Sequence, residues 1–249
     1  MTYRNRIQTS VELIGAYILA GFWILPLLYA FWAAFHSSSD AMHFDIFSPL
    51  TLDNFREAWS QAPFARFSLN TFMLVSFILP GQLLISTLAA YAFVRFKFTG
   101  ANVAFALVLV QLMITPEILI VQNYVTLSKL SLVDTISGMG LPYIASAFCI
   151  FLLRQAFKSI PKELEDAAEL EGCGTMSILW KVYVPLATPT YIAFSLVSVS
   201  HHWNNFLWPL IISNSVETRP LTVGLGIFAA PESGVKWSIL SAATLMSVA

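Results

Sequence analysis

The 249 residues are 57% hydrophobic and 11% charged, with a formal net charge of −1 and a mean hydropathy of +0.71. A soluble domain is about 45–50% apolar and about 25% charged, so this chain is expected to fold in lipid. The balanced charge argues against a nucleic-acid partner, which would call for a basic patch.

Predicted elements follow from the gaps between charges. No Asp, Glu, Lys or Arg occurs from Leu13 to Ser39, Phe67 to Val94, Phe98 to Pro116, Thr135 to Leu153, or Val182 to Val216. Each gap can hold the roughly 20 apolar residues that a membrane helix needs. The spans do not alternate with a period of two, so helices are favoured over a barrel. Arg4 and Arg6 precede the first run as they would in a signal peptide. That run exceeds the usual 7–15-residue apolar region and lacks a small-residue cleavage site, so an uncleaved helix is expected. Pro26, Pro80 and Pro142 predict kinks. The last gap, Trp237 to Ala249, has 13 residues, a rise of about 20 Å against a core of about 30 Å. Either a sixth helix is cut short there or it does not cross; truncation is the expectation.

Lys and Arg set the orientation. With the N-terminus inside, segments 1–12, 94–100 and 154–186 hold Arg4, Arg6, Arg95, Lys97, Arg154, Lys158, Lys162 and Lys181. The longer outer segments hold Arg56, Arg66, Lys129, Arg219 and Lys236. The first helix and its outer loop are assigned to residues 1–66, and a transmembrane core to 67–249. Cys149 falls in the fourth span and Cys173 in the 154–186 loop, so they are not expected to pair.

Within that inner loop, five of the chain's 14 acidic residues (Glu163, Glu165, Asp166, Glu169 and Glu171) lie in nine positions. Pro161 suits a first helical turn, and the acids crowd the positive end of the helix dipole. Leu164, Ala167, Ala168 and Glu171 are spaced three and four apart. Gly172 stands where a C′ glycine belongs. A second helix is expected with Thr175 as N-cap, Met176, Leu179, Trp180 and Tyr183 as an apolar stripe, and Pro185 as its end. The stripe either packs on the protein's own helix ends, lies among headgroups, or docks on a partner.

The stretch "ELEDAAELEGCGTMSILWKVYVPL" resembles the EAA loop of inner-membrane permease subunits of binding-protein-dependent ABC importers. Asp166 takes the glutamate position, Ala167 and Ala168 the alanines, Gly172 the glycine and Val184-Pro185 the Leu-Pro. "LTLDNFREAW", "AAYAFVRFKFTG", "FLLRQAFKSIPKELEDAA" and "WNNFLWPLIIS" are similar to the carbohydrate-uptake class typified by the maltose and glycerol-3-phosphate permeases. The resemblance implies an all-α, six-helix type I importer permease in a bacterial inner membrane, multi-pass, with the N-terminus cytoplasmic. It implies a second homologous permease, a dimer of ATP-binding subunits and a periplasmic binding protein as partners, besides membrane lipid. ATP and Mg would be bound by the ATPase subunits, leaving this chain without a cofactor. Glu165, Asp166, Ala167, Ala168, Glu171, Gly172, Met176, Leu179, Trp180 and Pro185 would form the ATPase-coupling segment. The substrate would be a sugar or a sugar or polyol derivative.

Other chemistry is weakly supported. There is no G-x-x-x-x-G-K-[ST] phosphate loop. His201-His202 point about 100° apart on a helix, and without His-Glu-x-x-His they do not make a zinc site. No acid inside a span calls for a buried catalytic triad, so an enzyme is not expected. An ion- or proton-coupled secondary transporter is the alternative, weakened by the scarcity of ionisable groups within the spans. A non-transporting scaffold would leave "SVSHHWNNFLWP" unexplained. At helical spacing His201, Asn204, Asn205 and Trp208 share a face, and amides within a span are costly without partners or water. That face either lines a sugar pathway, with Gln111 and Thr115 of the third span beside it, or holds neighbouring helices together.

Overall fold

The computed structural model describes residues 3–45, 48–229 and 236–248; Ala249 and residues 230–235 of the last expected outer loop lie outside them. Helix α1 (Tyr3–Ala34) is followed by short α2 (Ser38–His43) and α3 (Asp53–Gln61), then by α4 (Phe64–Arg95). α2 begins because Ser37 Oγ accepts the Asp40 N–H at 3.2 Å. The expected kinks at Pro26 and Pro80 are not breaks: α1 and α4 each run 32 residues through their proline. One missing ladder bond is outweighed by the helical bonds on either side in so apolar a segment.

The next three apolar stretches are broken. α5 (Ala101–Val110) ends in a 3₁₀ turn at Met113, and the chain bends by 91° before α6 (Ile120–Lys129). Thr115 is extended there (φ −72°, ψ 139°), as a residue before proline must be, and Pro116 opens the following turn. α7 (Ile136–Gly140) and its 3₁₀ turn Leu141–Tyr143 meet α8 (Ala147–Lys158) at 49°, and here Pro142 does sit at the bend. α8 starts where Ser146 Oγ accepts the Cys149 N–H at 3.2 Å.

The loop helices are α9 (Lys162–Leu170) and α10 (Thr175–Ile178). Two details differ from expectation. Gly174 rather than Thr175 precedes α10, and Thr175 is its first helical residue. Pro185 does not end the second helix, because Leu179–Tyr183 widens into a π turn and Pro185 rides inside α11 (Val184–Leu186). A wider turn tolerates a residue with no N–H to give. The bend comes at Ala187, with 73° to α12 (Thr188–Trp203). α13 (Leu207–Ile212), α14 (Leu221–Ala229) and α15 (Trp237–Val248) complete the chain. Among the described residues, two helices are long and apolar enough to cross a membrane, and three bent pairs pass the same test jointly.

Residues 1–65 with 224–249 form one compact unit and residues 66–223 another. Within the first unit, α15 packs against α1 and α3. The reason is small side chains: Ala33 and Ala34 near the end of α1, and Ser238, Ala242 and Ala243 on α15, are wholly buried and let backbones approach. Asn54 closes the end of α1 by donating to the Ala34 and His36 carbonyls at 2.9 and 2.8 Å. Most of α1 carries apolar side chains outward, Trp23 at 77% exposure among them, as a lipid-facing helix does.

The second unit has two apolar clusters. One joins Tyr91, Leu153, Phe157, Leu179, Tyr183 and Phe194; the other joins Leu74, Ile78, Met139, Trp208 and Ile212. Beyond the second cluster, Asp134 ties two loops together. Burial pushes its carboxyl up, but donation from the Thr218 hydroxyl and from the Ser215 and Asn214 N–H groups outweighs this and holds it at about 2.

Candidate functional site

The acidic loop is divided by direction. α9 has a 3.6-residue period, so Glu165 and Glu169 share a face turned toward the end of α4, with Glu165 buried and Glu169 at its exposed edge. Glu165 is 4% exposed and accepts the Tyr183 hydroxyl at 2.5 Å. Arg95, the last residue of α4, reaches both carboxylates: its Nε lies 2.5 Å from Glu165 Oε1 as an ion pair, and its Nη2 bonds Glu169. Beside this clasp Tyr91 donates to the Thr175 carbonyl at 3.2 Å and packs edge-on against Tyr183. A buried carboxylate needs such partners, because an unpaired one is strongly disfavoured.

Most of the remaining α9 residues and Gly172 point away. Asp166 is exposed, with only Lys162 at 4.0 Å, and Ala167, Glu171 and Gly172 are exposed as well. Ala168 packs partly on the core. Gly172 has φ +81°, and the Gly172 and Cys173 N–H groups bond the Glu169 and Ala168 carbonyls, which is the αL helix end its position predicts. The apolar stripe splits: Leu179 and Tyr183 are core residues, whereas Met176 (58%) and Trp180 (49%) are exposed. Leu164 and Leu170 join them outside. Glu165 and Leu179, placed in the coupling segment from the sequence, therefore face the protein's own interior, and Pro185 is exposed.

A cavity of about 360 Å³ opens in the same unit where the broken spans converge. Its wall takes Gln111 and Pro116 from the α5–α6 break, Tyr143 and Ser146 from the α7–α8 break, and His201, His202 and Trp208 from the α12–α13 region. Irregular backbone at membrane depth is tolerated where it lines a cavity or is buried in protein. Gln82 of α4 closes the floor: it donates to the Tyr143 carbonyl at 2.8 Å, accepts from Ser198 at 2.6 Å and lies 3.3 Å from His202 Nε2.

The single face expected for His201, Asn204, Asn205 and Trp208 does not form, because α12 ends at Trp203 and the chain is non-helical until Leu207. His201 and Trp208 reach the cavity, as does Gln111, but Thr115 is not in its wall. Asn204 bonds the Ser200 carbonyl of its own helix at 2.8 Å and lies by a separate groove. Asn205 holds the turn, donating to the Tyr143 hydroxyl at 3.0 Å and accepting from Thr222 at 2.7 Å. Trp208 is anchored by its indole N–H on the Met139 carbonyl at 3.0 Å. Sequence reasoning passed over Arg95, Gln82 and Ser198. A lone amide in the middle of an apolar span was the available signal for Gln82.

Residues 13–249 match the family model for the binding-protein-dependent transport system inner membrane component. The arabinooligosaccharides transport system permease protein of Halalkalibacterium halodurans is 35% identical over an alignment of 241 positions that covers 94% of this chain and 86% of that one. The sn-glycerol-3-phosphate transport system permease protein of Yersinia enterocolitica is 30% identical over an alignment of 239 positions that covers 90% of this chain and 84% of that one. In structure the chain is similar to a bacterial ABC transporter involved in the import of the acidic polysaccharide alginate, with a TM-score of 0.88 at 22% identity, covering 100% of this chain and 94% of that one. A second solved structure, the bacterial alginate ABC transporter in complex with an alginate pentasaccharide-bound periplasmic protein, matches with a TM-score of 0.70 at 15% identity. The ion-coupled carrier weighed from composition falls with these matches. An all-helical, non-catalytic membrane subunit with broken spans around a cavity, this chain belongs to the inner-membrane permease family of binding-protein-dependent transport systems.

Proposed function

We propose that the chain is one of two homologous permeases of an ABC importer that carries a sugar or a sugar or polyol derivative across the bacterial inner membrane. A pair of separate ATPase subunits binds ATP and Mg and drives the cycle from the cytoplasmic side. A periplasmic binding protein delivers substrate from the other side. The sugar class rests on the relatives: one is named for arabinooligosaccharides and another for sn-glycerol-3-phosphate.

The observation that carries the coupling role is the two-sided loop. Its inner side is fastened to α4 through Arg95, while Leu164, Leu170, Met176 and Trp180 are exposed apolar side chains on the two sides of Gly172. A rigid element presenting an apolar face is what transmits a partner's movement, and an exposed patch of this kind marks an interaction site. Asp166, Ala167, Ala168 and Glu171 belong to the docking helix in this reading.

The test is reconstitution of the four-component complex in proteoliposomes. ATP-dependent uptake is expected only with binding protein and both ATPase subunits present; uptake by this chain alone would overturn the reading. Gly172→Val is the coupling arm. A Cβ there meets no atom within 4 Å, so the cost is purely conformational, roughly 1–2 kcal/mol for a left-handed residue with a side chain. Uptake is expected to be lost through weakened ATPase association, with membrane insertion intact, while Asp166→Glu is tolerated. Normal uptake and association in Gly172→Val would remove the loop from the coupling path.

The N-in orientation has its own measurement. A cysteine introduced beside Lys162 should react with an impermeant reagent only from the cytoplasmic side, and one beside Arg219 only from outside. Labelling of both from one side contradicts the topology.

A further inference from the structure

Three side chains of the cavity wall carry polar ends that the protein itself does not use. Gln111 follows α5, Asn123 lies on α6, and His201 is near the end of α12. Gln111 and His201 are exposed and Asn123 is half-buried. Among the described residues none of the three side chains has a hydrogen-bond partner, and the Asn123 amide is not sealed off from the surface. The 91° bend at Thr115-Pro116 brings Gln111 and Asn123 to one wall. In a single straight helix they would stand about 18 Å apart along the axis. The His201 ring packs edge-on against His202, with centroids 5.0 Å apart, and leaves its nitrogens unbonded.

A side-chain amide offers donors and an acceptor at one point, which matches a hydroxyl, since that group also donates and accepts. Phe148, in the first turn of α8, lines the same cavity at 40% exposure and offers a ring face to C–H groups. Charge narrows the ligand further. Among the described residues of the wall there is no Asp, Glu, Lys or Arg. A phosphate or carboxylate brought from water to such a wall would lack a counter-ion and is strongly disfavoured. An acid also stands beside it: Glu117 follows Pro116 of the wall and is near enough to Tyr143, on the same wall, to act on its hydroxyl electrostatically. Like charges repel, the more so away from bulk water. The volume of about 360 Å³ lies at the lower end of the roughly 300–1,000 Å³ of small-ligand pockets.

We propose that this subunit carries a subsite for an uncharged sugar unit, in which Gln111, Asn123 and His201 bond hydroxyls, Phe148 covers a C–H face, and Glu117 turns anionic sugars away. The subsite rests on the carbohydrate-importer reading above and narrows it to neutral sugars and polyols, as against phosphate esters and sugar acids.

Protection from alkylation in the assembled complex tests it. Leu112 lines the cavity at 49% exposure, so Leu112→Cys in a Cys173→Ser background serves as the reporter. Cys149 is buried, and any labelling of it is subtracted with the chain that lacks the reporter. The complex of both permeases and the ATPase pair, in lipid nanodiscs, is treated with N-ethylmaleimide in the presence of arabinotriose or trigalacturonic acid. Arabinotriose is expected to slow the reaction severalfold, and the acid to leave it unchanged. Gln111→Leu and Asn123→Leu should each raise the arabinotriose concentration for half-protection about tenfold. Asn123→Gln keeps the amide and should lose less, and Glu117→Gln should let the acid begin to protect. A reporter that never reacts, no protection by arabinotriose, protection by the acid at least as strong, or protection that survives both leucine variants would each overturn the subsite. The carbohydrate reading is scored separately, by uptake of the two probes into wild-type proteoliposomes with binding protein present. Uptake without protection sinks the subsite alone; neither uptake nor protection with either probe counts against both.

Discussion

Replacing Arg95 with alanine is expected to be the most damaging single change to the loop. It leaves Glu165, 4% exposed, with its carboxylate facing Tyr183 and apolar neighbours but no counter-ion. Breaking one side of a buried pair costs about 3–5 kcal/mol; the Arg95 side chain keeps 27% exposure, so water moderates the penalty to about 3 kcal/mol. α9 would then lose its fastening to α4, and the outward face would no longer move with the membrane helices. Thermal unfolding of the purified complex should show the loss, and ATP hydrolysis should separate from uptake. Glu165→Gln in the Arg95→Ala background is the informative control. The amide removes the stranded charge and can still accept from Tyr183, so part of the stability should return. If the double variant is no more stable than Arg95→Ala, the ion pair is not what holds α9.

Gly138→Ala is the second. Gly138 is buried in α7, and a Cβ there would sit 2.0 Å from the Leu132 carbonyl oxygen and 3.0 Å from Thr135 Oγ1. The first contact is with backbone, so no rotamer change relieves it. The Thr135 hydroxyl also accepts the Gly138 N–H at 3.0 Å and so caps α7. Overpacking of this kind costs about 1–3 kcal/mol, with a lost cap adding about 1 kcal/mol. The displacement passes to Met139, whose carbonyl holds the Trp208 indole at the cavity wall. Reduced thermal stability together with altered Trp208 fluorescence is expected, measured in a variant whose other tryptophans are replaced. An unchanged Trp208 signal would mean that α7 absorbs the methyl without moving its carbonyl.

Much of this molecule was legible before any coordinates. The charge-free gaps located the spans, and the acids, alanines and Gly172 located the loop, down to the left-handed glycine at φ +81°. These signals are local: hydropathy needs one stretch of chain, and a helix end needs its last turn. Placing the breaks was less secure. Pro26, Pro80 and Pro142 read alike, yet of the three only Pro142 lies at a helix break, and the largest angle between broken halves, 91°, falls at Thr115-Pro116.

What the sequence by itself determined was the solvent, the helices, the loop and the family, because each depends on composition or spacing within a few turns. What only the tertiary structure decided was direction. That Glu165 is the acid of α9 that points inward follows from Arg95, at the end of a different helix far back along the chain. That Ser198 and His202 of the fifth apolar stretch are buried follows from Gln82, 116 residues before Ser198. A polar side chain in an apolar segment must find a partner, but the partner's position along the chain is unconstrained, and only packing brings the two together.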